Sequence, residues 1–506
     1  MDAVAGHGIA ASAPQTTAVI AHTEGAADVN VDPTLSATGE TPADLRGQLS
    51  WALFEFARSP YISLVYIFVF PPYFANVVIG DPVRGQEAWS FANTIVGVCV
   101  ALLAPLLGAV SDRTGPRKPW LAGVALVMSA CCIALWFAMP GARGGLPVGA
   151  ILLLIVILAT CFQFTEVFHN AMLASIARVD RVGGLSGLGI ATGNLGTLTA
   201  MVVMLFGVAL PASGVTLGGL LPSAPLFGGL DVANHEHDRI AGPVAGVWFL
   251  VFIIPLLLWT PDRASTGVAP GRAVREGLAQ LWLTLKRLQR VSNVARFLLA
   301  RMLYTDAKVA ILAYSGIYAA GIFGWQLVEL LLFALVLAPF SISGGFIGGW
   351  LDNRLGSKHA IQISVGLTCL GVVGAVATTP HQILFVPYAA SAQPLWSFPY
   401  FRTLPEVVYL MTFMLLAVTI TAAFCTSRTM MTRIAPVSMM NQFFGLYALS
   451  GTATSFLGHA LVAAFTRAFT SQRAGFASLI ILLVAGLAVL ARVRQERSPD
   501  ITMPAA

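Results

Sequence analysis

Two acid–base pairs stand inside stretches that otherwise exclude charge. Glu55 and Arg58 lie at i and i+3 in one apolar run, and Glu166 and His169 repeat that spacing in another. Residues so spaced share a helix face, so each pair can satisfy itself or turn together toward a polar ligand. Carboxylate and guanidinium together suit a zwitterion, and an imidazole beside a carboxylate can relay a proton near neutral pH. A third group, Arg301, Asp306 and Lys308, offers both signs within one run. There Asp306 could carry a proton, or pair with Arg301 or Lys308 when no solute is bound. Glu329 could pair with the other half of the chain, and His459 reads as a hydrogen-bonded interior histidine. An ionisable side chain at membrane depth costs at least ~2.5–3.5 kcal/mol, so each needs a reason to be there.

The apolar runs are what must position these groups. Of 506 residues, 57% are hydrophobic and 10% charged, against about 25% charged in a soluble domain. Repeated apolar stretches of about 20 residues are the length a bilayer requires, and uninterrupted runs favour helices over a barrel. The sequence predicts twelve spanning helices near 50–79, 88–110, 119–139, 147–168, 184–210, 243–260, 297–320, 326–350, 359–378, 407–427, 439–466 and 474–492. The first and fifth are long enough to tilt or break. Near the tenth, the short run Gln382–Ala390 competes for the assignment. Pro60, directly after Arg58, would free backbone carbonyls for a ligand.

Residues 1–44 hold acidic but no basic side chains, a composition that predicts a disordered tail. The N-terminal six-helix half then spans 45–260. A polar connection follows over 261–296, within which Val274, Leu278, Leu281, Leu285 and Leu288 fall at helical spacing beside basic residues. That pattern predicts an amphipathic helix on the membrane surface. The C-terminal half spans 297–492 and a short tail 493–506. With both termini in the cytoplasm, Lys and Arg are concentrated on the cytoplasmic side, as the positive-inside rule requires. The net charge of +6 therefore reads as orientation within a cell (inner) membrane, not as nucleic-acid binding.

One charged loop occurs twice. Gly108-Ala-Val-Ser-Asp112-Arg113-Thr-Gly115-Pro-Arg117-Lys118 separates the second and third runs, and Gly348-Gly-Trp-Leu-Asp352-Asn-Arg354-Leu-Gly356-Ser-Lys358 the eighth and ninth. A charged loop at corresponding points of two hydrophobic halves marks an internal duplication. The second copy carries one inserted residue, Asn353.

Two sets of six helices with this repeated loop resemble the major facilitator superfamily. The resemblance implies an all-α membrane fold of two pseudo-symmetric halves, a central cavity lined by helices one, four, seven and ten, and transport by alternating access. It also implies that Gly108, Asp112, Arg113, Gly115, Arg117, Lys118, Asp352, Arg354 and Lys358 form a conformational gate. Trp51-Ala-Leu-Phe-Glu-Phe-Ala-Arg-Ser-Pro-Tyr61, Phe168-His-Asn-Ala-Met-Leu173, Leu185-Ser-Gly-Leu-Gly189, Phe297-Leu-Leu-Ala-Arg-Met-Leu-Tyr-Thr-Asp306 and Phe443-Phe-Gly-Leu-Tyr447 are similar to the vacuole-effluxer-like branch. Its fungal members export amino acids from the vacuole. The chain departs from that pattern at Glu55, Arg58, His169, Asn194 and Thr452.

Other chemistries find little support. The Gly-rich runs Gly183–Gly196 and Gly344–Gly349 follow no strand and lack phosphate-loop spacing; close helix packing explains them. The six Cys all fall in apolar runs without ligand spacing, so they read as small hydrophobes. His235-Glu-His237-Asp238 lacks a third ligand at a firm spacing and reads as a solvated loop. No nucleophile–base pair, metal cluster or cofactor motif indicates an enzyme. The reading is a monomeric, proton-coupled secondary transporter of a small polar or zwitterionic, amino-acid-like solute, without cofactor or metal. A drug or metabolite efflux pump of the same fold, or a non-transporting membrane sensor or scaffold, are the alternatives.

Overall fold

In the computed structural model, the described residues are 36, 41–142, 144–178, 181–215, 224–226, 229–264, 266, 271–272, 275, 292–389, 394–435, 446–447, 450–451 and 454–495, without the side chains of 105, 108–114, 142, 174 and 182–183. The acidic tail up to residue 35, most of the amphipathic stretch of the connection and the start of the eleventh run lie outside them.

Among the described residues, eleven helices are long and apolar enough to cross a membrane. They are α1 (Leu45–Ile79), α2 (Pro82–Thr114), α3 (Lys118–Phe137), α4 (Val148–Ile176), α5 (Gly184–Ala212), α6 (Ala241–Trp259), α7 (Ser292–Phe323), α8 (Leu327–Leu355), α9 (Ser357–Ala377), α10 (Leu404–Ile434) and, after the shorter α11 (Phe456–Phe469), α12 (Gln472–Ala491). The competing run near the tenth helix is no span. It folds as an antiparallel hairpin, Gln382–Ile383 against Val386–Pro387, because it is too short to cross a bilayer.

Each half starts and ends on one side of the bundle, since Thr260 after α6 donates to the Gly47 carbonyl at the start of α1 at 3.0 Å and Asn293 of α7 to the Arg494 carbonyl beyond α12 at 2.9 Å. In the first half α1 packs between α5 and α6, while α3 packs against α4 and α6. In the second half α7 packs on α12, and α10 lies between α8 and α9. The halves meet where α11 packs on α2 and where α7 touches the wide turns of α1.

At the end opposite the termini the halves are stitched closely. Gln86 Nε2 donates to Thr466 Oγ1 at 2.9 Å and to the Gln472 carbonyl at 3.2 Å. Gln472 Nε2 answers by donating to the Pro82 carbonyl at 2.9 Å. Glycines make the approach possible. A Cβ on Gly316 would stand 2.2 Å from the Ile67 carbonyl, and one on Gly97 2.6 Å from the Phe456 nitrogen. Side chains at these positions would push the halves apart.

The long first helix does break. Pro60 has no N–H to return to the Phe56 carbonyl, and the chain continues in wide π-type turns over Tyr61–Phe68 and Phe74–Ile79. Contrary to the expectation of a carbonyl free for a ligand, Phe56 O accepts from Trp248 Nε1 of α6 at 3.2 Å.

Candidate functional site

The two acid–base pairs of the first half come together. Arg58 Nε donates to Glu55 Oε2 at 2.7 Å, and Arg58 Nη1 to Glu166 Oε2 at 3.3 Å, so one guanidinium joins α1 to α4. On the other side of Glu55, Oε1 stands 3.3 Å from Nδ1 of the fully buried His169. Glu166 is the open member, with 43% of its side chain exposed against 11% for Arg58. The guanidinium also lies over the Phe162 ring at 5.1 Å.

The imidazole is fixed from three directions. Its Nε2 meets the Trp51 carbonyl at 2.9 Å, while Trp51 Nε1 donates to the His169 carbonyl at 3.0 Å. Trp51 and Phe54 stack on its two faces, each with a centroid separation of 4.3 Å. A carbonyl can only accept, so Nε2 carries a hydrogen and Nδ1 is left to face Glu55.

Three glycines of α5 let α1 sit this deeply. An added Cβ would lie 3.2 Å from the Trp51 ring at Gly189, 3.3 Å from Glu55 Cβ at Gly193 and 2.6 Å from the Phe56 carbonyl at Gly196. Close packing is thus what these three glycines of the run do, whereas Gly184 and Gly187 meet nothing within 4 Å. Thr192 adds a hydrogen bond from Oγ1 to the Ala52 carbonyl at 2.6 Å.

The charged group of α7 does not assemble as the sequence suggests. Arg301 Nη1 donates to the Tyr447 carbonyl at 2.6 Å and to Ser450 Oγ at 2.5 Å, with its guanidinium 3.6 Å from the Tyr447 ring centroid. Asp306 Oδ2 accepts from the Gly458 amide at 3.0 Å, which caps the N-terminus of α11 from another helix. Lys308 is fully buried, its ammonium 3.8 Å from the Phe424 ring centroid and 5.0 Å from that of Tyr304. Asp306 and Lys308 are only two positions apart, and i, i+2 side chains do not face each other on a helix. His459, as expected, is a hydrogen-bonded interior residue, joined to Tyr314 Oη at 2.7 Å and to Tyr66 Oη of the other half at 3.4 Å. Glu329 is a local capping residue that accepts from the Gln326 amide at 3.1 Å.

The two repeated loops keep matching geometry despite the insertion. Gly115 and Gly356 both adopt left-handed backbone, with φ of 98° and 80°. Lys118 Nζ donates to the Leu257 carbonyl at 3.0 Å, and Lys358 Nζ to the Ala491 carbonyl at 2.8 Å. Each lysine therefore caps the C-terminal end of the last helix in its own half. The Lys118 amide donates to Asp262 Oδ2 at 2.8 Å, as does the Lys358 amide to Gln495 Oε1 at 3.3 Å. Arg117 donates from its backbone to Asp262 and from Nη1 to the Ala171 carbonyl at 2.6 Å. Asp352 pairs with Arg433 of α10 at 2.9 Å, not with Arg354 or Lys358 of its own loop. Arg354 lies over Trp350 at 4.8 Å. The side chains of Asp112 and Arg113 and the surroundings of Gly108 lie outside what is described.

Asp262, Arg433 and Trp51 are site partners that sequence spacing alone does not reveal. They act through contacts remote in sequence, several to backbone carbonyls that carry no residue-type signal.

Residues 87–500 match the family described as vacuole effluxer Atg22 like. The chain belongs to that family. This Atg22-like chain is 23% identical over 459 residues to an uncharacterized MFS-type transporter, YxiO, of Bacillus subtilis, covering 90% of this chain and 96% of the relative. It is also 23% identical to autophagy-related protein 22 of Cryptococcus neoformans over 268 residues, 51% of this chain. There it spans only 44% of the fungal protein's length. Among solved structures, a D-xylose–proton symporter superposes with a TM-score of 0.59 at 13% identity, over 88% of this chain and 97% of that one. An inward-facing bacterial homologue of the human lysosomal transporter Spinster gives 0.55 at 14% identity, over 88% and 94%. The fold is that of the major facilitator superfamily, and this member of the Atg22-like family is a multi-pass membrane transporter, not an enzyme.

Proposed function

We propose that this transporter moves a small polar or zwitterionic solute, amino-acid-like in size and charge, by proton-coupled alternating access. The observation that carries the proposal is the contact between His169 Nδ1 and Glu55 Oε1 at 3.3 Å. With Nε2–H committed to the Trp51 carbonyl, a neutral imidazole would leave the buried Nδ1 lone pair without a hydrogen-bond partner and close to a carboxylate oxygen that repels it. A proton between them removes that repulsion, either as imidazolium beside carboxylate or as carboxylic acid beside imidazole. The charge balance points the same way. Glu55, Glu166 and Arg58 sum to one negative charge, and the added proton makes this group, of which only Glu166 is open to solvent, neutral.

Glu166 extends the same logic to the solute. Its exposed carboxylate backed by a buried guanidinium offers an ammonium group an acceptor. A cationic centre arriving there competes with Arg58 for Glu166 and frees the guanidinium for Glu55, which disfavours a proton on that carboxylate and so links solute binding to the proton. The stitched end opposite the termini suits the half of the cycle open toward the termini. We place both termini in the cytoplasm, the protein in the cell membrane as a monomer, and Gly108, Asp112, Arg113, Gly115, Arg117, Lys118, Asp352, Arg354 and Lys358 in a conformational gate at the cytoplasmic end.

Uptake into proteoliposomes tests the proposal, using a labelled amino-acid and metabolite pool with and without an imposed pH gradient. Gradient-driven accumulation of a zwitterion supports it. Accumulation that ignores the gradient refutes the proton, and accumulation of no solute in either condition refutes the solute assignment.

A further inference from the structure

We propose that His235, His237 and Asp238 form a binding site for a divalent transition-metal ion of the zinc class, on the loop ahead of α6. The sequence suggests only a solvated loop there, because three donors crowded into four positions have no obvious reason to converge. The fold makes them converge. His235 takes left-handed backbone, with φ of 53°, and a single helical turn over Glu236–Arg239 follows it. Positions 235 and 238 then share a face, and the His237 ring stacks beside that of His235 with centroids 5.6 Å apart.

The resulting distances suit coordination. Asp238 Oδ2 lies 2.9 Å from His235 Nδ1 and 3.4 Å from His237 Nε2, and one ligand atom from each residue lies within 4.8 Å of the others. Ligand atoms around a tetrahedral zinc ion, with bonds of about 2.0–2.1 Å, stand roughly 3.3–3.4 Å apart. Two nitrogens and one carboxylate oxygen are the donor set preferred by zinc and its neighbours, not by calcium or magnesium. Three protein ligands leave a fourth position for water. The site is reachable, since the His235 side chain is 32% exposed.

The scaffold beneath it is built before any ion arrives. Arg239 is buried and donates from Nε and Nη2 to the Trp136 carbonyl at 2.8 and 2.5 Å, and from Nη1 to the Asn234 carbonyl at 3.3 Å. Asp231 accepts from the Ala233 amide at 2.9 Å and from Asn234 Nδ2 at 2.6 Å. The loop is thereby pinned to the end of α3, and Tyr73 of α1 borders His235 at 5.9 Å. A bound ion would tie together residues at the end of the bundle opposite the termini, far from Glu55. It would exchange one carboxylate facing two imidazoles for three coordinate bonds.

Calorimetric titration of zinc into the untagged, metal-stripped, detergent-solubilised full chain tests this. One ion per chain is expected, with His235→Ala, His237→Ala and Asp238→Asn each weakening binding at least tenfold. His381→Ala, in the other loop region at this end, should bind as the parent does. Cobalt(II) added to the parent protein reads the site without any substitution, and four-coordinate visible bands with imidazole character are expected. Absence of both zinc heat and cobalt bands in the parent overturns the proposal. So does zinc affinity unchanged in all three variants.

Discussion

His169 and Glu55 face each other across 3.3 Å, in a pocket where the second imidazole nitrogen is already committed to a backbone carbonyl. Gln at either position keeps the volume and a hydrogen bond but cannot hold the proton proposed for this contact. In proteoliposomes, His169→Gln and Glu55→Gln should each lower pH-gradient-driven accumulation at least tenfold while leaving gradient-independent exchange measurable. Accumulation at the parent level in both variants would remove the proton from this contact.

Arg58 is the counter-ion of two carboxylates. Arg58→Ala strands Glu55 in a buried site, and losing one partner of a buried pair costs about 3–5 kcal/mol. Glu166→Gln should cost about 1 kcal/mol or less, because that carboxylate is partly solvated and screened. Unfolding temperatures of the two variants in one detergent check the order, and equal losses would contradict it.

The α5 glycines make a cleaner structural test. Gly196→Ala places a Cβ 2.6 Å from the Phe56 carbonyl, whereas the neighbourhood of Gly187 is open. Overpacking of this kind costs about 1–3 kcal/mol. Gly196→Ala should therefore lower thermal stability and Gly187→Ala should not, as a melting series would show.

Asp306 separates a capping role from a proton-carrying one. Asn caps a helix about as well as Asp, while Ala costs about 0.5–2 kcal/mol. If the Gly458 contact is its whole purpose, Asp306→Asn transports and melts like the parent and Asp306→Ala loses stability. An Asp306→Asn variant that folds normally but no longer responds to a pH gradient would assign it a second proton.

How far the sequence reveals this molecule depends on the range of each contact. The spans follow from local hydropathy, so a helix near 407–427 is legible and is found as Leu404–Ile434, while the Gln382–Ala390 run competes with it in the sequence until the hairpin settles the assignment. The i, i+3 spacing exposes Glu55–Arg58 and Glu166–His169 as pairs, but not that a single guanidinium joins them. That depends on Gly189, Gly193 and Gly196 setting how near α5 lets α1 come, which no spacing rule contains. The α7 charges mislead for the same reason. Arg301, Asp306 and Lys308 are close in sequence, yet a helix fans them out to Ser450, Gly458 and Phe424.

Lys118 and Lys358 each reach a carbonyl within their own half, and Asp262, which holds the first loop, is the second residue of the central connection. The inserted Asn353 is consequently absorbed without reaching the partner half. A gene cut within 267–291 would leave both lysine caps intact, so two separately translated polypeptides should still find each other in the membrane and reconstitute transport.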